Sequence, residues 1–324
     1  MKKICIYVVS LLVFAAGFFF LQLTNTRTGK NTFSTDEEMN VPVPADLKLL
    51  PAGGFHADYA VPPSDRDVSA DGLETCFAVM MVDQKDKRVV VSKNPYKRIY
   101  PASTTKIMTA ILVMDAINAG KLSKDDVITL DHEPDVSDPD AVRSDLSEGC
   151  SITVRNLLYG MLIRSYNDYA VILAEAVGGD VDTFVSMMNS KAEELDMVGT
   201  HYVNPHGLHD SDHYTTAYDM YLLMQKAAEY PDIREIDQNR SFSYTYRNAY
   251  DEEMSDEISP TNSFLAGTKF LPSNIEIQEW KTGTTQQAGH VLTMNCTIDG
   301  VPYTIYCADA EDDLYGKYSI LFNK

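Results

Sequence analysis

Two short apolar runs open the regularly patterned part of the chain. CFAVMMVD (76–83) and KRVVVSKN (87–94) are rich in β-branched and apolar side chains and flank the polar QKDK, the pattern of a strand hairpin. From Ala102 to about Ala119 apolar residues instead fill a helical period on nearly every face, and Gly120 closes the run. SITVRNLLYGMLIR (151–164) predicts a second helix with Ser151 or Thr153 as its cap. NDYAVILAEAVGG, DTFVSMMNSKAEELDM and TAYDMYLLMQKAAEY predict three more, the first stopped by paired glycines. Strand-like alternation returns at SFSYTYR and dominates from EWKTGTT to a hairpin over 291–307 that turns at Asp299-Gly300. Strands near both ends with helices between them predict an α+β domain: an antiparallel sheet flanked by helices, with an inserted mostly helical lobe. No internal repeat is found.

Before residue 74 the pattern differs. Ile4–Leu23 is an uncharged apolar run that would extend about 30 Å as a helix, enough to cross a bilayer. It lacks the short apolar core and small-x-small cleavage site of a secretory signal, so residues 1–23 are read as a signal-anchor rather than a cleaved segment. Residues 24–73 are polar and proline-punctuated, the composition of a flexible extracytoplasmic stalk, and residues 74–324 form the folded domain. Either fate of the leader exports the rest of the chain. The net charge of -20 argues against nucleic acid as a partner.

The chain has five cysteines, one of them, Cys5, inside the apolar run. In the 291–307 hairpin, Cys296 falls opposite Tyr303 and leaves Cys307 four residues further along the same face. That separation of about 13 Å is too long for a disulfide. Reduced, mostly buried thiols are expected, and no CxxC pair suggests a metal site.

The chemistry begins with PASTTKIMTA. Ser103 and Lys106 stand three apart, on one face of a helix start whose surroundings are apolar. A lysine can take a proton from a serine only if burial or a neighbouring cation lowers its pKa. Alone, S-x-x-K is equally the pattern of a cap serine and a surface lysine. Two further stretches change its weight. IRSYNDYA presents Ser165 and Asn167 between two helices, although Ser92-Lys93-Asn94 has the same form on a strand end. EWKTGTTQQAGH carries Lys281, Thr282, Gly283 and Thr284 on a late strand, where a lysine and hydroxyls suit a carboxylate and glycine permits close backbone approach.

S-x-x-K, S-x-N and K-T-G in this order are the motif set of class A β-lactamases and penicillin-binding proteins. The sequence resembles the serine D-alanyl-D-alanine carboxypeptidases, the low-molecular-mass penicillin-binding proteins, over roughly residues 74–310. LLYGMLIRSYNDYAVILAEAVGGD, FVSMMNSKAEELDMVGTHYVNPHGLHD and TAYDM extend the likeness beyond the motifs. The resemblance implies Ser103 as the acylated nucleophile, Lys106 as its base and Ser165 as a proton relay to the leaving group. It implies Asn167 on the substrate amide, and Lys281, Thr282, Gly283 and Thr284 about the substrate's terminal carboxylate. Backbone N–H groups of Ser103 and Thr284 would form the oxyanion hole. The implied substrate is a peptidoglycan stem peptide ending in D-Ala-D-Ala, with β-lactams as covalent inhibitors, no cofactor, and the cytoplasmic membrane as a partner through the N-terminal helix.

The sequence departs from that family in two places. Where relatives often carry a glycine shortly before K-T-G, this chain reads IEIQEWKTG, with Trp280 beside Lys281. The segment YTYRNAYDEEMSDE is acidic and aromatic, and its acidic run, like DHEPDVSDPD, is read as a solvated loop. DLYGKYSILFNK is expected to form one short helix after the last strand, and the N-terminal run to serve as anchor in place of a C-terminal amphipathic helix. Four rival readings fit parts of the sequence. A class A β-lactamase would carry a glutamate in an E-x-x-L-N stretch where this chain has THYVNPHGLHD. A zinc hydrolase could draw on His201, His206, His209, His213, Asp210 and Asp212, but their spacing matches no metal motif. A DD-endopeptidase or an inactive wall-peptide-binding protein would share the motifs.

Overall fold

The computed structural model describes residues 53–324 apart from 137, 139, 140, 311 and 312. The expected signal-anchor and the stalk up to residue 52 lie outside the described residues. Among those described, no helix is long and apolar enough to cross a membrane.

The fold is α+β, with helices packed against antiparallel strands. Among the described residues nine strands run β1 Cys76–Asp83, β2 Arg88–Lys93, β3 Val127–Thr129, β4 Ser151–Thr153, β5 Phe242–Arg247, β6 Glu253–Ile258, β7 Ile275–Thr285, β8 Gly289–Ile298 and β9 Val301–Ala310. The α-helices are α1 Lys106–Asn118, α2 Val154–Tyr159, α3 Asn167–Gly178, α4 Val181–Glu194, α5 Ala217–Ala227, α6 Pro231–Asp237 and α7 Leu314–Leu321. The main sheet has the order β2-β1-β9-β8-β7, so strands from both ends of the domain meet at the β1–β9 seam. All its pairings are antiparallel.

Alternation along these strands builds two cores. Ala78, Met80 and Val82 of β1 face the helices, where they join the larger cluster with α1 and α5. Val79 and Met81 point to the other face, against Trp280, Leu292, Ile305 and the C-terminal helix residues Tyr318 and Leu321. α1 is buried over most of its circumference, from Lys106 through Met114. This explains the continuous apolar run that its sequence shows.

Two expectations need correction. Phe55–Asp58 forms a 3₁₀ turn, and the strand-like residue Val68 bridges to Ser92. The Pro62 carbonyl accepts from Tyr96 Oη at 2.8 Å, and His56 Nδ1 lies 2.9 Å from Asp196 Oδ2. The last part of the presumed stalk is therefore a strap on the domain, held by contacts that a proline-rich sequence does not advertise. The acidic stretch DEEMSDE is not a loop: Glu253–Ile258 is strand β6, paired in register with β5. It completes a second sheet, β3-β4-β5-β6, that the sequence did not suggest. PDIREID is helix α6, with proline at its first turn. Of the two proposed caps for α2, Thr153 is the one used, its Oγ1 accepting from Asn156 N at 3.2 Å.

The cysteine register is as read, with Cys296 opposite Tyr303 and Cys307 opposite Leu292. All four described cysteines are buried, and none forms a disulfide. Cys76 and Cys307, on the two strands of the seam, approach with sulfurs 3.0 Å apart, a pairing that the hairpin register alone did not suggest.

Candidate active site

The Ser103 turn is built by backbone restraint. Ala102 holds φ at +47, in the left-handed region, and Ala102–Thr105 forms one 3₁₀ turn before α1 begins at Lys106. Thr104 Oγ1 donates to Pro101 O at 2.6 Å and ties the turn down. Two glycines let other segments press onto it. A Cβ on Gly283 would lie 2.9 Å from Ser103 N and 2.9 Å from Ala102 Cβ. A Cβ on Gly207, whose φ is +88, would lie 1.8 Å from Ala102 O. The close approach anticipated at Gly283 is thus made by the serine turn of the chain itself.

Lys106 is fully buried, and its Nζ lies 3.0 Å from Ser103 Oγ, 2.7 Å from Asn167 Oδ1 and 2.8 Å from His206 O. The last two partners can only accept. The orientation of the Asn167 amide follows from its other end, where Nδ2 donates to Val142 O at 3.0 Å. In a neutral amine, two N–H bonds to Asn167 and His206 leave the lone pair for the Ser103 hydroxyl. Burial holds the Lys106 pKa well below the usual lysine range, and the nearby Lys281 charge lowers it further, against an opposing pull from Asp168. Lysine chemistry at neutral pH needs that combination.

Ser165 sits at a corner. The helix that starts as α2 widens into a π segment, Gly160–Arg164, and stops at Ser165 with φ +70. Ser165 is buried, and Asn167 two residues on begins α3. The corner is braced on two sides. Asp168 accepts from Ser144 N, and Asn167 N donates to Val142 O at 2.9 Å. On the other side Tyr166 Oη donates to Asp256 Oδ2 at 3.2 Å and Tyr244 Oη donates to the same atom at 2.9 Å. Tyr169 meets Tyr244 hydroxyl to hydroxyl at 2.7 Å, and since Tyr244 gives its proton to Asp256, Tyr169 is the donor. The acidic β6 strand is therefore joined to the S-Y-N corner.

Lys281 is also fully buried, and its Nζ donates to Thr282 O at 3.1 Å. Burial lowers its pKa to about 7, with Asp237 opposing. Thr282 Oγ1 lies 2.5 Å from Thr261 Oγ1, and Thr284 Oγ1 donates to Gly283 O at 2.8 Å with His290 Nδ1 at 3.2 Å. The fold thus gathers Ser103, Lys106 and Asn167 at one contact and lays the K-T-G strand against the serine turn at Gly283.

Asn167, assigned by resemblance to a substrate amide, bonds Lys106 and Val142. Sequence reasoning missed the His206 carbonyl, Thr261 and Asp237. A backbone carbonyl carries no side-chain signal, although the glycine after His206 hinted at a tight approach. The histidine-rich stretch does not converge. His213 Nδ1 accepts from Val203 N at 3.1 Å, which leaves its Nε2–H for Thr105 Oγ1 at 2.8 Å, whereas His201 Nδ1 meets Asp212 O at 2.6 Å. Burial lowers both His206 and His213 to about 3, keeping them neutral. Among the described residues no group of three or more His, Cys, Asp or Glu side chains could hold a metal ion.

Known proteins share this fold. The structure resembles a cefotaxime-bound penicillin-binding protein from Listeria monocytogenes with a TM-score of 0.63 at 23% identity, over 77% of this chain and 98% of that one. D-alanyl-D-alanine carboxypeptidase DacF of Bacillus subtilis is 33% identical over 67% of this chain and 52% of its own length. A D-alanyl-D-alanine endopeptidase of Pseudomonas aeruginosa is 31% identical over 75% of this chain and 72% of its own. The chain spans about half the length of the first curated relatives it matches. The Peptidase_S11 family, D-alanyl-D-alanine carboxypeptidase, matches residues 67–311, a span that holds the S-x-x-K turn, the S-Y-N corner and the K-T-G strand, and the chain belongs to that family.

Proposed function

We propose that the protein is a serine D-alanyl-D-alanine carboxypeptidase that removes the terminal D-alanine from peptidoglycan stem peptides. The observation that carries this reading is the buried Lys106 amine, 3.0 Å from Ser103 Oγ with its other bonds taken by acceptors. Lys106 takes the hydroxyl proton as Ser103 Oγ attacks the carbonyl carbon of the penultimate D-alanine. The tetrahedral oxyanion is held by the N–H groups of Ser103 and Thr284, and the K-T-G approach at Gly283 supports that pairing. Ser165 relays the proton held by Lys106 to the leaving nitrogen as the C–N bond breaks, which restores the neutral amine, and D-alanine departs. Lys281, Thr282 and Thr284 receive its carboxylate. Water, deprotonated by the same amine, then hydrolyses the ester and regenerates Ser103. A β-lactam acylates Ser103 by the same attack, its ring nitrogen being the leaving group. The apolar residues 4–23 anchor the chain in the cytoplasmic membrane, with the catalytic domain outside it.

One observation favours a second reading, cleavage of cross-links: the Pseudomonas relative at 31% identity is an endopeptidase. Both reactions break the bond after D-alanine and differ in the leaving group. Incubation with a muropeptide ending in D-Ala-D-Ala and with a cross-linked dimer, followed by mass analysis, separates them. Loss of one alanine from the first and an intact dimer are expected. Ser103→Ala is expected to abolish turnover and covalent penicillin labelling together, and labelling that survives would mean that another residue is the nucleophile.

A further inference from the structure

The stretch between β6 and β7 touches both the S-Y-N corner and the K-T-G strand, and it does so through one residue. Thr261 follows β6, which ends at Ile258. Its N–H donates to Ile163 O at 3.1 Å, two residues before Ser165. Ile163 lies in the last turn of the π segment, where carbonyls have no partner within the helix and need one from outside. The Thr261 side chain meets the other element, its Oγ1 lying 2.5 Å from Thr282 Oγ1. One residue thus joins the corner to β7 by a main-chain bond and a hydroxyl pair.

The residues after Thr261 hold it in place. Asn262 is fully buried, its Oδ1 accepting from Phe264 N at 3.0 Å and its main-chain oxygen from Ala266 N at 2.9 Å. Ser263 N donates to Tyr315 Oη of α7 at 2.8 Å, and Phe264 is buried in the smaller core against Tyr318. A turn fixed at these points sets where the Thr261 hydroxyl stands, and so where Thr282 Oγ1 settles. The main chain of Thr282 is tied as well, its oxygen accepting from Lys281 Nζ at 3.1 Å.

A hydroxyl has one proton to give and lone pairs with which to accept. Had Thr282 spent its proton on Thr261, it would turn only lone pairs towards an incoming carboxylate, which can itself only accept. With substrate bound the order must therefore run from Thr261 to Thr282 and from Thr282 to the carboxylate. We infer that Thr261 is a positioning residue for carboxylate recognition: it donates to Thr282 Oγ1 and so commits the Thr282 proton to the substrate's terminal carboxylate. Both residues are part-exposed, as a hydroxyl pair at the edge of a substrate cleft requires. Hydrogen bonds in a chain polarise one another, so Thr282 is a better donor with Thr261 behind it.

The inference rests on the reading of Ser103 as the acylated residue and Thr282 as a carboxylate partner. Its test uses the full chain in detergent and compares acylation by a fluorescent penicillin with acylation by the methyl ester of the same compound. Thr261→Val removes the hydroxyl and keeps the branched shape. Because the lost bond serves a charged group, acylation by the free acid should slow about tenfold. Acylation by the ester, slow already in the wild type, should not change. Thr261→Ser should bring the free-acid rate back to within about twofold of wild type. In a Thr282→Val background Thr261→Val should cost nothing further, because the hydroxyl it serves is gone. An equal loss for acid and ester, a full additional loss in the double variant, or no rescue by serine overturns the inference. If Thr261→Val does not fold, Thr261→Ala is set against Thr261→Ser in the same comparison. A wild type that neither penicillin acylates overturns the proposed function and the inference with it. A labelled wild type with an indifferent Thr261→Val overturns the inference alone.

Discussion

Asn167 Oδ1 and the Lys106 amine meet at 2.7 Å, a shorter contact than the 3.0 Å that Lys106 makes with Ser103. The amide takes one N–H of the base, and its own Nδ2 is pinned to Val142 O, so it cannot turn away. Asn167→Asp tests this. A carboxylate at that distance favours the ammonium form and raises the Lys106 pKa. Because the base works only when neutral, the acid limb of penicillin acylation should move to higher pH. On the acid limb the rate should fall about tenfold for each pH unit of that movement and return towards the wild-type rate at alkaline pH. A uniform loss across the whole range would rule out this role for the amide.

Lys106→Arg probes the base directly. Arginine keeps the positive charge and reaches the same acceptors, but it does not deprotonate in this range. Acylation of Ser103 should slow by about a hundredfold to ten-thousandfold, the usual worth of general-base help. In the wild type the sign follows from the lowered folded pKa of Lys106. The rate should hold at neutral pH and fall as pH drops through that pKa. The unfolded chain binds more protons than the folded one above it, so Lys106 should also make stability increase with pH up to the ordinary lysine range. Stopped-flow labelling and thermal melts across pH measure the two effects.

The helices, the C-terminal hairpin and the joining of terminal strands in one sheet were legible because each rests on local periodicity. What the sequence concealed depends on partners far along the chain. Glu253–Ile258 reads as a charged loop because a strand exposed over most of its length shows no apolar alternation, yet pairing with β5 makes it a strand. PDIREID is too short for a clear helical period. Ser103, Lys106, Asn167 and Gly283, which meet in the structure, are carried by motifs, whereas the His206 carbonyl, Thr261 and Asp237 enter through backbone, through a hydroxyl pair or through burial. None of these leaves a residue-type signature. Only the odd Glu279-Trp280 before K-T-G pointed towards α6.

Asp256 links that concealed strand to the site. It accepts from Tyr166 and Tyr244 and thereby holds the corner that carries Ser165. Asp256→Ala leaves both tyrosine hydroxyls without their acceptor, at a cost of about 1–3 kcal/mol for a buried donor. It should slow acylation more than Tyr166→Phe, which removes one donor and leaves the Tyr244 bond in place. Equal effects of the two variants would show that the corner is held from the Ser144 and Val142 side alone.

Gly283→Ala separates packing from chemistry. Its methyl would lie 2.9 Å from both Ser103 N and Ala102 Cβ, closer than real side chains tolerate. Since φ at Gly283 is not in the left-handed region, backbone strain adds nothing, and the whole effect is steric. Overpacking of this kind costs about 1–3 kcal/mol, which a domain of this size survives. The strain falls on the atoms proposed to hold the oxyanion, where small displacements are costly. Melting should therefore drop by only a few degrees while acylation drops by about a hundredfold or more. Gly207→Ala must place its methyl 1.8 Å from Ala102 O at a φ of +88, so clash and strained backbone act together and the variant should lose far more stability. If Gly283→Ala instead lost stability and kept its acylation rate, the serine turn would not be what the K-T-G strand positions.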